Sequence, residues 1–434
     1  MTGTDDRILA LADGHAKAAV DFLLELVRAT EHGEARVQDL VAKRLAAAGC
    51  TIENQRYNPQ TVVPKHEFAD AQVVADGDRI NVIGRLAGTG GGRSLILFAH
   101  PDGEPIQRLE TWSKPPFKGV QENGRLYGWG VADDLAGVAS GVIAIELLVK
   151  AGLKPKGEVL MASSPSKRHA RGVVAMLQHG YNADGAVYLH PAESGAGMRD
   201  IKAFCSGQAE FHITIDGRLP DTNEPNHTVF YHRSVNPIDK AMVIHRALVA
   251  LGEARAARVH HPLLEQAVGR STNIQVSRIR CGEMTRYSRL QPSCEMGGAV
   301  TFPAGENPDA VRAEIETAVA AAAEDDPWLR NHPPRLKWIS SIIGAEIPLD
   351  HPLYRIVEQA VIACTGTSPH VNALHTVSDI RNPIIQKGIP TVAFGCKSGD
   401  LTQAGRVDEW IDVDDYVRMI KVTAATIAGW CGLD

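Results

Sequence analysis

Three short runs carry side chains able to do chemistry. "LILFAHPDGEP" closes an apolar stretch with His100 and sets Asp102 two residues further on. That pairing has the form of a metal-ligating histidine whose tautomer is fixed by a carboxylate behind it, although a histidine that is simply satisfied in place has the same sequence. "NGRLYGWGVADDLAGVASG" puts Asp133 and Asp134 just before a long helical run, behind glycines 128 and 130 that permit a tight approach. Acidic residues at a helix start are also ordinary caps. "SPSKRHARG" delivers Lys167 and Arg168 immediately after the apolar "EVLMASS". They are either a solvated basic turn or a pair of pocket cations. In a pocket, the arginine can clamp a carboxylate through two parallel hydrogen bonds. A lysine beside another cation is expected to have a depressed pKa, which would make Lys167 a base or nucleophile near neutral pH. His169, at a helix start, is expected to point elsewhere.

The elements that must hold these residues follow from the hydrophobic pattern. "HAKAAVDFLLELVRAT" and "GEARVQDLVAKRLAAAGC" repeat apolar residues at three- and four-residue spacing and predict helices. "RINVIGRL", "RSLILFAH", "GEVLMASS" and "GAVYLH" predict strands, separated by helical runs. Strands alternating with helices make an α/β domain with a mainly parallel sheet. Ligands of such sheets lie beyond the carboxyl ends of the strands, where His100 falls. Around Asp200 the texture changes. A strand, helix, strand, strand, helix succession from "QAEFHITIDG" to "PDAVRAEIETAVAAAAEDD" predicts a small α+β domain inserted into the first. The expected division is residues 1–200 and 327–434 for the α/β domain and 201–326 for the insert, with the α/β texture resuming near Leu336.

The bulk composition narrows the partners. A chain of 434 residues, 44% hydrophobic and 22% charged, has material for two packed domains. A net charge of −6 argues against nucleic acid or an anionic membrane as partner. Seven scattered cysteines without a CxxC pair fit reduced thiols. The N-terminal run lacks the charged-then-apolar form of a secretory signal, and no stretch reaches the roughly 18 apolar residues of a membrane span. A cytoplasmic protein is expected.

In combination, "AHPDGEP", "NGRLYGWGVADDLAG", "HTVFYHRSVNPIDKA" and "VSDIRNPIIQKGIPTVAFG", in that order, resemble the M20 family of zinc-dependent peptidases, deacetylases and aminoacylases. The resemblance implies a zinc-peptidase-like catalytic domain with a mainly parallel mixed sheet and an inserted, ferredoxin-like dimerisation domain. It implies a two-zinc site with a bridging aspartate, matched by Asp133, and a histidine ligand, matched by His100. The third ligand of that zinc falls on His190 in "GAVYLHP", and histidine is itself a good zinc ligand. The other half of the site departs from the pattern. Lys167 stands where the family has its general-base glutamate, Arg168 where it has a ligand of the second zinc, and Gly405 where it has that zinc's histidine. Two unit charges about 4 Å apart repel by roughly 4 kcal/mol at an effective dielectric of 20, and a divalent ion doubles this. The family's second metal therefore does not fit beside Lys167 and Arg168. The resemblance also implies an oxyanion-stabilising role for His227, acting from the partner subunit, and carries Asn236 over as its neighbour in the motif. Asn236, His375, Arg381 and the added cation Arg289 are expected to meet substrate, and Asp102 to assist catalysis.

Three functions remain open from the sequence. One is an amide-bond hydrolase for a small anionic substrate, with one zinc, manganese or cobalt ion per chain on His100, Asp133 and His190. A second is a non-hydrolytic isomerase, racemase, lyase or amine-transfer enzyme using Lys167 as base, with or without metal. The third is a small-molecule-binding relative without catalysis. A homodimer is expected in each case.

Overall fold

The structure is a computed structural model and describes residues 6–106, 109–283, 285–399 and 408–434. Gly405, where the missing histidine is expected, lies outside the described residues. One sheet has the strand order Thr51–Tyr57, Arg79–Leu86, Val159–Ser163, Leu95–Ala99, Gly185–Leu189, Thr391–Phe394. The last four are parallel to one another, and Arg79–Leu86 runs antiparallel to its neighbours. The three central parallel strands are buried at every residue, as their unbroken apolar sequences require when both faces are covered. Leu95, Leu97 and Ala99 face a core shared with helices Asp6–Ala29, Ala136–Lys150 and Val413–Cys431. Ile96 and Phe98 face the opposite core, with Val173, Met176 and Leu177 of helix Gly172–His179.

Helix Ala136–Lys150 is apolar nearly all round and runs through the larger core. Its start abuts the strand that leads to His190: a Cβ on Gly137 would stand 1.9 Å from the Leu189 carbonyl oxygen. Only glycine allows that approach.

The second sheet is antiparallel, with the order Asn273–Arg280, Ser293–Phe302, Gly207–Asp216, Arg335–Ile342, Phe68–Ala69. Strand Gly207–Asp216 alternates buried and half-buried residues along its whole length. One of its faces packs on helices Pro237–Ala256 and Pro308–Asp325, which gives the ferredoxin-like arrangement. This sheet runs past residue 326, since Arg335–Ile342 is its fourth long strand. "RLKWISSI" alternates with a period of two and belongs to a half-exposed antiparallel sheet, not to a resumed α/β run. All seven cysteines are free. Among the described residues no helix is long and apolar enough to cross a membrane.

Candidate metal centre and its flanking cleft

Three adjacent parallel strands end side by side and deliver three of the residues singled out above. Leu95–Ala99 leads into His100, its neighbour Gly185–Leu189 into His190, and its other neighbour Val159–Ser163 into the turn carrying Lys167. Asp133 enters from residues 131–135, ahead of the buried helix. The ligand atoms of His100, Asp133 and His190 lie within 4.8 Å of one another, and among the described residues no other such group of three or more is found. His100 Nε2 is 2.9 Å and His190 Nε2 3.1 Å from Asp133 Oδ1. The other oxygen of the same carboxylate, Oδ2, is 2.5 Å from Lys167 Nζ.

Both imidazole rings are oriented from behind by main-chain carbonyls. His100 Nδ1 is 2.7 Å from the carbonyl oxygen of Asp102, and His190 Nδ1 is 2.9 Å from that of Pro191. A ring that donates its Nδ1 proton to a carbonyl turns an Nε2 lone pair forward. Two such lone pairs converge here on one carboxylate oxygen. The buried His100 Nε2 makes no hydrogen bond. An arrangement of two lone pairs and an anion is satisfied by a cation between them, and N and O donors of this kind are those of zinc and its neighbours. The donor set thus fits one divalent ion.

Without a cation, the electrostatics of the cluster place a proton on His100, which a bound metal ion would displace. Burial works against the Asp133 charge, but Lys167 and the two imidazoles hold its carboxyl well below the usual range. Burial and Lys167 oppose protonation of His100, yet its contacts with Asp102 and Asp133 raise it well above the usual imidazole value. Burial would likewise neutralise Lys167, but Asp133, joined by Asp102 and Glu104, raises the ammonium above its ordinary value. This reverses the depressed lysine pKa expected from the neighbouring arginine. The anion Lys167 touches, Asp133, dominates over the cation beside it in sequence.

Glu409, whose role the sequence left unassigned, holds the Asp133 segment in place. Its carboxylate accepts hydrogen bonds from the backbone N–H groups of Gly130 (2.8 Å), Ala132 (2.7 Å) and Asp133 (3.0 Å). Burial, then the nearby Asp133, push it up to about 8 against those donors. Asp134 is buried beneath the cluster, with its carboxyl raised well above the usual range, chiefly by burial. The main-chain N–H of His100 donates to Asp134 Oδ2 at 3.3 Å. The carboxylate of Asp102 stands 3.4 Å from His100 Nδ1 and has a second task. It accepts the N–H groups of Ser166 and Lys167, each at 2.9 Å, and so secures the turn that aims the lysine.

Beside the cluster lies a cleft of about 280 Å³ whose walls include Lys167, Arg168, His169, Arg171 and Arg381. Arg168 is exposed and makes no ion pair with Asp133, so Lys167 alone supplies the cation at that carboxylate. His169 lines the cleft, contrary to expectation. Arg381 is not free to take a substrate anion through its Nε and Nη1. They are 2.7 Å from Glu67 and 2.8 Å from Asp379, and the residue is buried. His375 is turned to the inserted sheet's side, with Nε2 2.6 Å from the Arg270 carbonyl and Nδ1 3.5 Å from Thr301 Oγ1. Asn236 caps helix Pro237–Ala256 by accepting the Ile238 N–H at 3.1 Å. His227 likewise accepts the Val229 N–H at 3.1 Å and pairs through its backbone with Arg289. Among the described residues, no hydrogen bond, ion pair or cleft wall joins His227, Asn236, Arg289 or His375 to the cluster within one chain.

Fold and cluster together are those of a metallohydrolase-type protein. The chain belongs to peptidase family M20/M25/M40, whose sequence model matches residues 96–429. It is 26% identical over 377 residues to N-formyl-4-amino-5-aminomethyl-2-methylpyrimidine deformylase of Bacillus subtilis, covering 81% of this chain and 83% of that one. It is 30% identical over 419 residues to succinyl-diaminopimelate desuccinylase of Leptothrix cholodnii, covering 92% and 96%. Among solved structures, it is similar to the di-peptidase Dug1p of Saccharomyces cerevisiae, with a TM-score of 0.74, 11% identity and 98% of each chain covered. The M20 metallo-carboxypeptidase Sso-CP2 of Sulfolobus solfataricus matches with a TM-score of 0.71, 14% identity and coverage of 95% and 99%. At such identities the two structures speak to the fold alone. Family and curated relatives make the chain a hydrolase-type enzyme acting on amide or peptide bonds.

Proposed function

We propose that this enzyme hydrolyses an amide bond of a small anionic substrate with one divalent cation per chain, zinc in the first instance. His100, Asp133 and His190 would hold the ion, and Lys167 takes the place of the family's second metal. The observation that carries this is the convergence of both Nε2 atoms on one oxygen of Asp133 while an ammonium holds the other. An ion in such a set acts as a Lewis acid toward a carbonyl or a water molecule.

The chain's own groups then divide the remaining work. Lys167 keeps its proton while it faces Asp133, which suits a fixed positive charge near a developing oxyanion or a donor to the departing amine. It does not suit proton abstraction, so an isomerase or lyase with Lys167 as base has less support. Asp102 and Glu409 act through backbone N–H groups to keep Lys167 and Asp133 in register. His227, supplied across a homodimer, would stabilise the oxyanion. Named relatives that remove formyl and succinyl groups are consistent with a small acyl-amide substrate.

Elemental analysis and zinc titration of the purified protein test the metal assignment. One zinc per chain is expected, lost in His100→Ala and in His190→Ala with the fold intact by circular dichroism. Binding of two ions per chain, or of none, would overturn it.

A further inference from the structure

Lys167 touches the metal cluster with its ammonium and also lines the neighbouring cleft. The charged groups of that cleft are matched in number but not in pairing. Arg381 takes two carboxylates, Glu67 and Asp379, and Lys167 takes Asp133. Arg168 and Arg171 are left without an ion pair among the described residues, with the exposed Glu104 as the remaining carboxylate of the wall. Among the described residues Arg168 has no hydrogen bond or ion pair from its side chain. Arg171 gives only Nη1, to the carbonyls of Pro59 (3.1 Å) and Val62 (2.6 Å), which leaves its Nε and Nη2 without partners there.

The backbone presenting these groups is held in an uncommon shape. Arg168, His169 and Arg171 have φ of 54°, 52° and 59°, a region that costs a residue with a side chain about 1 kcal/mol or more. Asp102 secures the turn from one side, and the Ala75 N–H bonds the Arg168 carbonyl at 2.7 Å on the other. His169 between the two arginines is brought down to about 4 by burial and by the charges of Arg381 and Arg171. It therefore offers a neutral imidazole and adds no charge.

We propose that this cleft is a carboxylate subsite, in which Arg168 and Arg171 hold the anionic arm of the substrate. The position of the scissile bond beside it rests on the hydrolase function above; the anion site itself does not. Guanidinium groups are the side chains best matched to the paired oxygens of a carboxylate.

Calorimetric titration of the zinc-loaded, full-length protein tests this with three probes: succinate, its uncharged analogue succinamide, and inorganic phosphate. Succinate is expected to bind and succinamide not to bind. Arg168→Gln, a change at an exposed side chain, is expected to weaken succinate by about ten-fold or more. Arg171→Lys, which retains the charge and loses the fork, should weaken it less. Equal binding of succinamide, or an unchanged affinity in Arg168→Gln, overturns the subsite. Phosphate binding about ten-fold tighter than succinate overturns the carboxylate assignment. Zinc titration of the same samples separates the two proposals. Arg168-dependent succinate binding in a protein that takes up no zinc would leave the subsite standing and sink the metal centre.

Discussion

Lys167 Nζ stands 2.5 Å from one oxygen of Asp133, while His100 and His190 aim at the other. On the proposed reading, the carboxylate that the family resemblance casts as a bridge between two metals is shared between a two-histidine cradle and a covalently attached cation. The ammonium carries one charge where a zinc ion would carry two, and it cannot be removed by chelation. Charge at that place is therefore a property of the sequence and not of metal supply.

The stability of the metal-free protein should expose this arrangement. Lys167→Met leaves a buried Asp133 carboxylate without its cation, and breaking a buried pair from one side typically costs about 3 kcal/mol or more. Zinc binds the folded state and restores stability by mass action. Urea unfolding with and without zinc should show a large loss in the metal-free variant and a larger zinc-induced recovery than in the wild type. Equal stability of variant and wild type without zinc would show that the pair holds no charge balance.

Glu409 offers a second check, because it holds Asp133 through hydrogen bonds from the main chain. Glu409→Ala removes the acceptor of three backbone N–H groups and frees the segment that aims the carboxylate. Loss of a group that orients a ligand commonly weakens metal binding 10–100-fold. Zinc affinity of Glu409→Ala should fall by about that factor, with Glu409→Gln retaining part of it. A role confined to packing would lower the melting temperature and leave zinc affinity unchanged.

Much of this was legible in the sequence, and the gaps have physical causes. Apolar runs bounded by helices disclosed the parallel sheet, the strand ends placed His100 and the Lys167 turn, and the family resemblance pointed to His190. Side-chain direction was not legible. Arg381 lies near the site but is consumed by Glu67, a partner 314 residues away, and no local pattern reports such pairing. His375 is turned aside by a carbonyl of the inserted unit for the same reason. Glu409 could have been found only by asking what satisfies the N–H groups of a glycine-rich segment before a buried helix. The lysine pKa was misjudged because sequence adjacency to Arg168 was weighed without the closer anion, Asp133.

The cleft predicts a pH signature of its own. His169 lies near 4 in the folded chain, through burial and its two arginine neighbours, against about 6.5 when unfolded. A histidine with a depressed folded value binds fewer protons folded than unfolded. Its contribution to stability is therefore complete above the unfolded value and is lost as pH falls from about 6.5 toward 4. At about 1.4 kcal/mol per pH unit, discounted for partial exposure, the loss is of the order of 2 kcal/mol. His169→Gln cannot titrate. Its unfolding free energy should decline less than that of the wild type across this window in denaturant titrations. Parallel declines would place His169 in solvent.

The last prediction concerns the open edge of the insert's sheet and the residue proposed to cross between subunits. Strand Asn273–Arg280 is an edge of the second sheet, pairing on one side with Ser293–Phe302. Exposed edges of this kind template pairing with another chain unless they are blunted. Ile279, Val249 and Tyr287 are 45%, 50% and 82% exposed in the same unit, and His227 sits beside Arg289 in it. Pairing of two copies along this edge would make a symmetric interface. Ile279→Asp is expected to shift the sedimenting species from dimer to monomer while zinc binding persists. Complementation then asks whether the site is shared. His227→Ala and Lys167→Met are each expected to be inactive. A heterodimer of the two has one site with Lys167 from one chain and His227 from the other, and one site with neither. Random exchange puts half of the molecules in that form, so mixing should restore about a quarter of wild-type activity. Recovery requires His227 to act from the opposite subunit; its absence in a mixture shown to contain heterodimers would confine each site to a single chain.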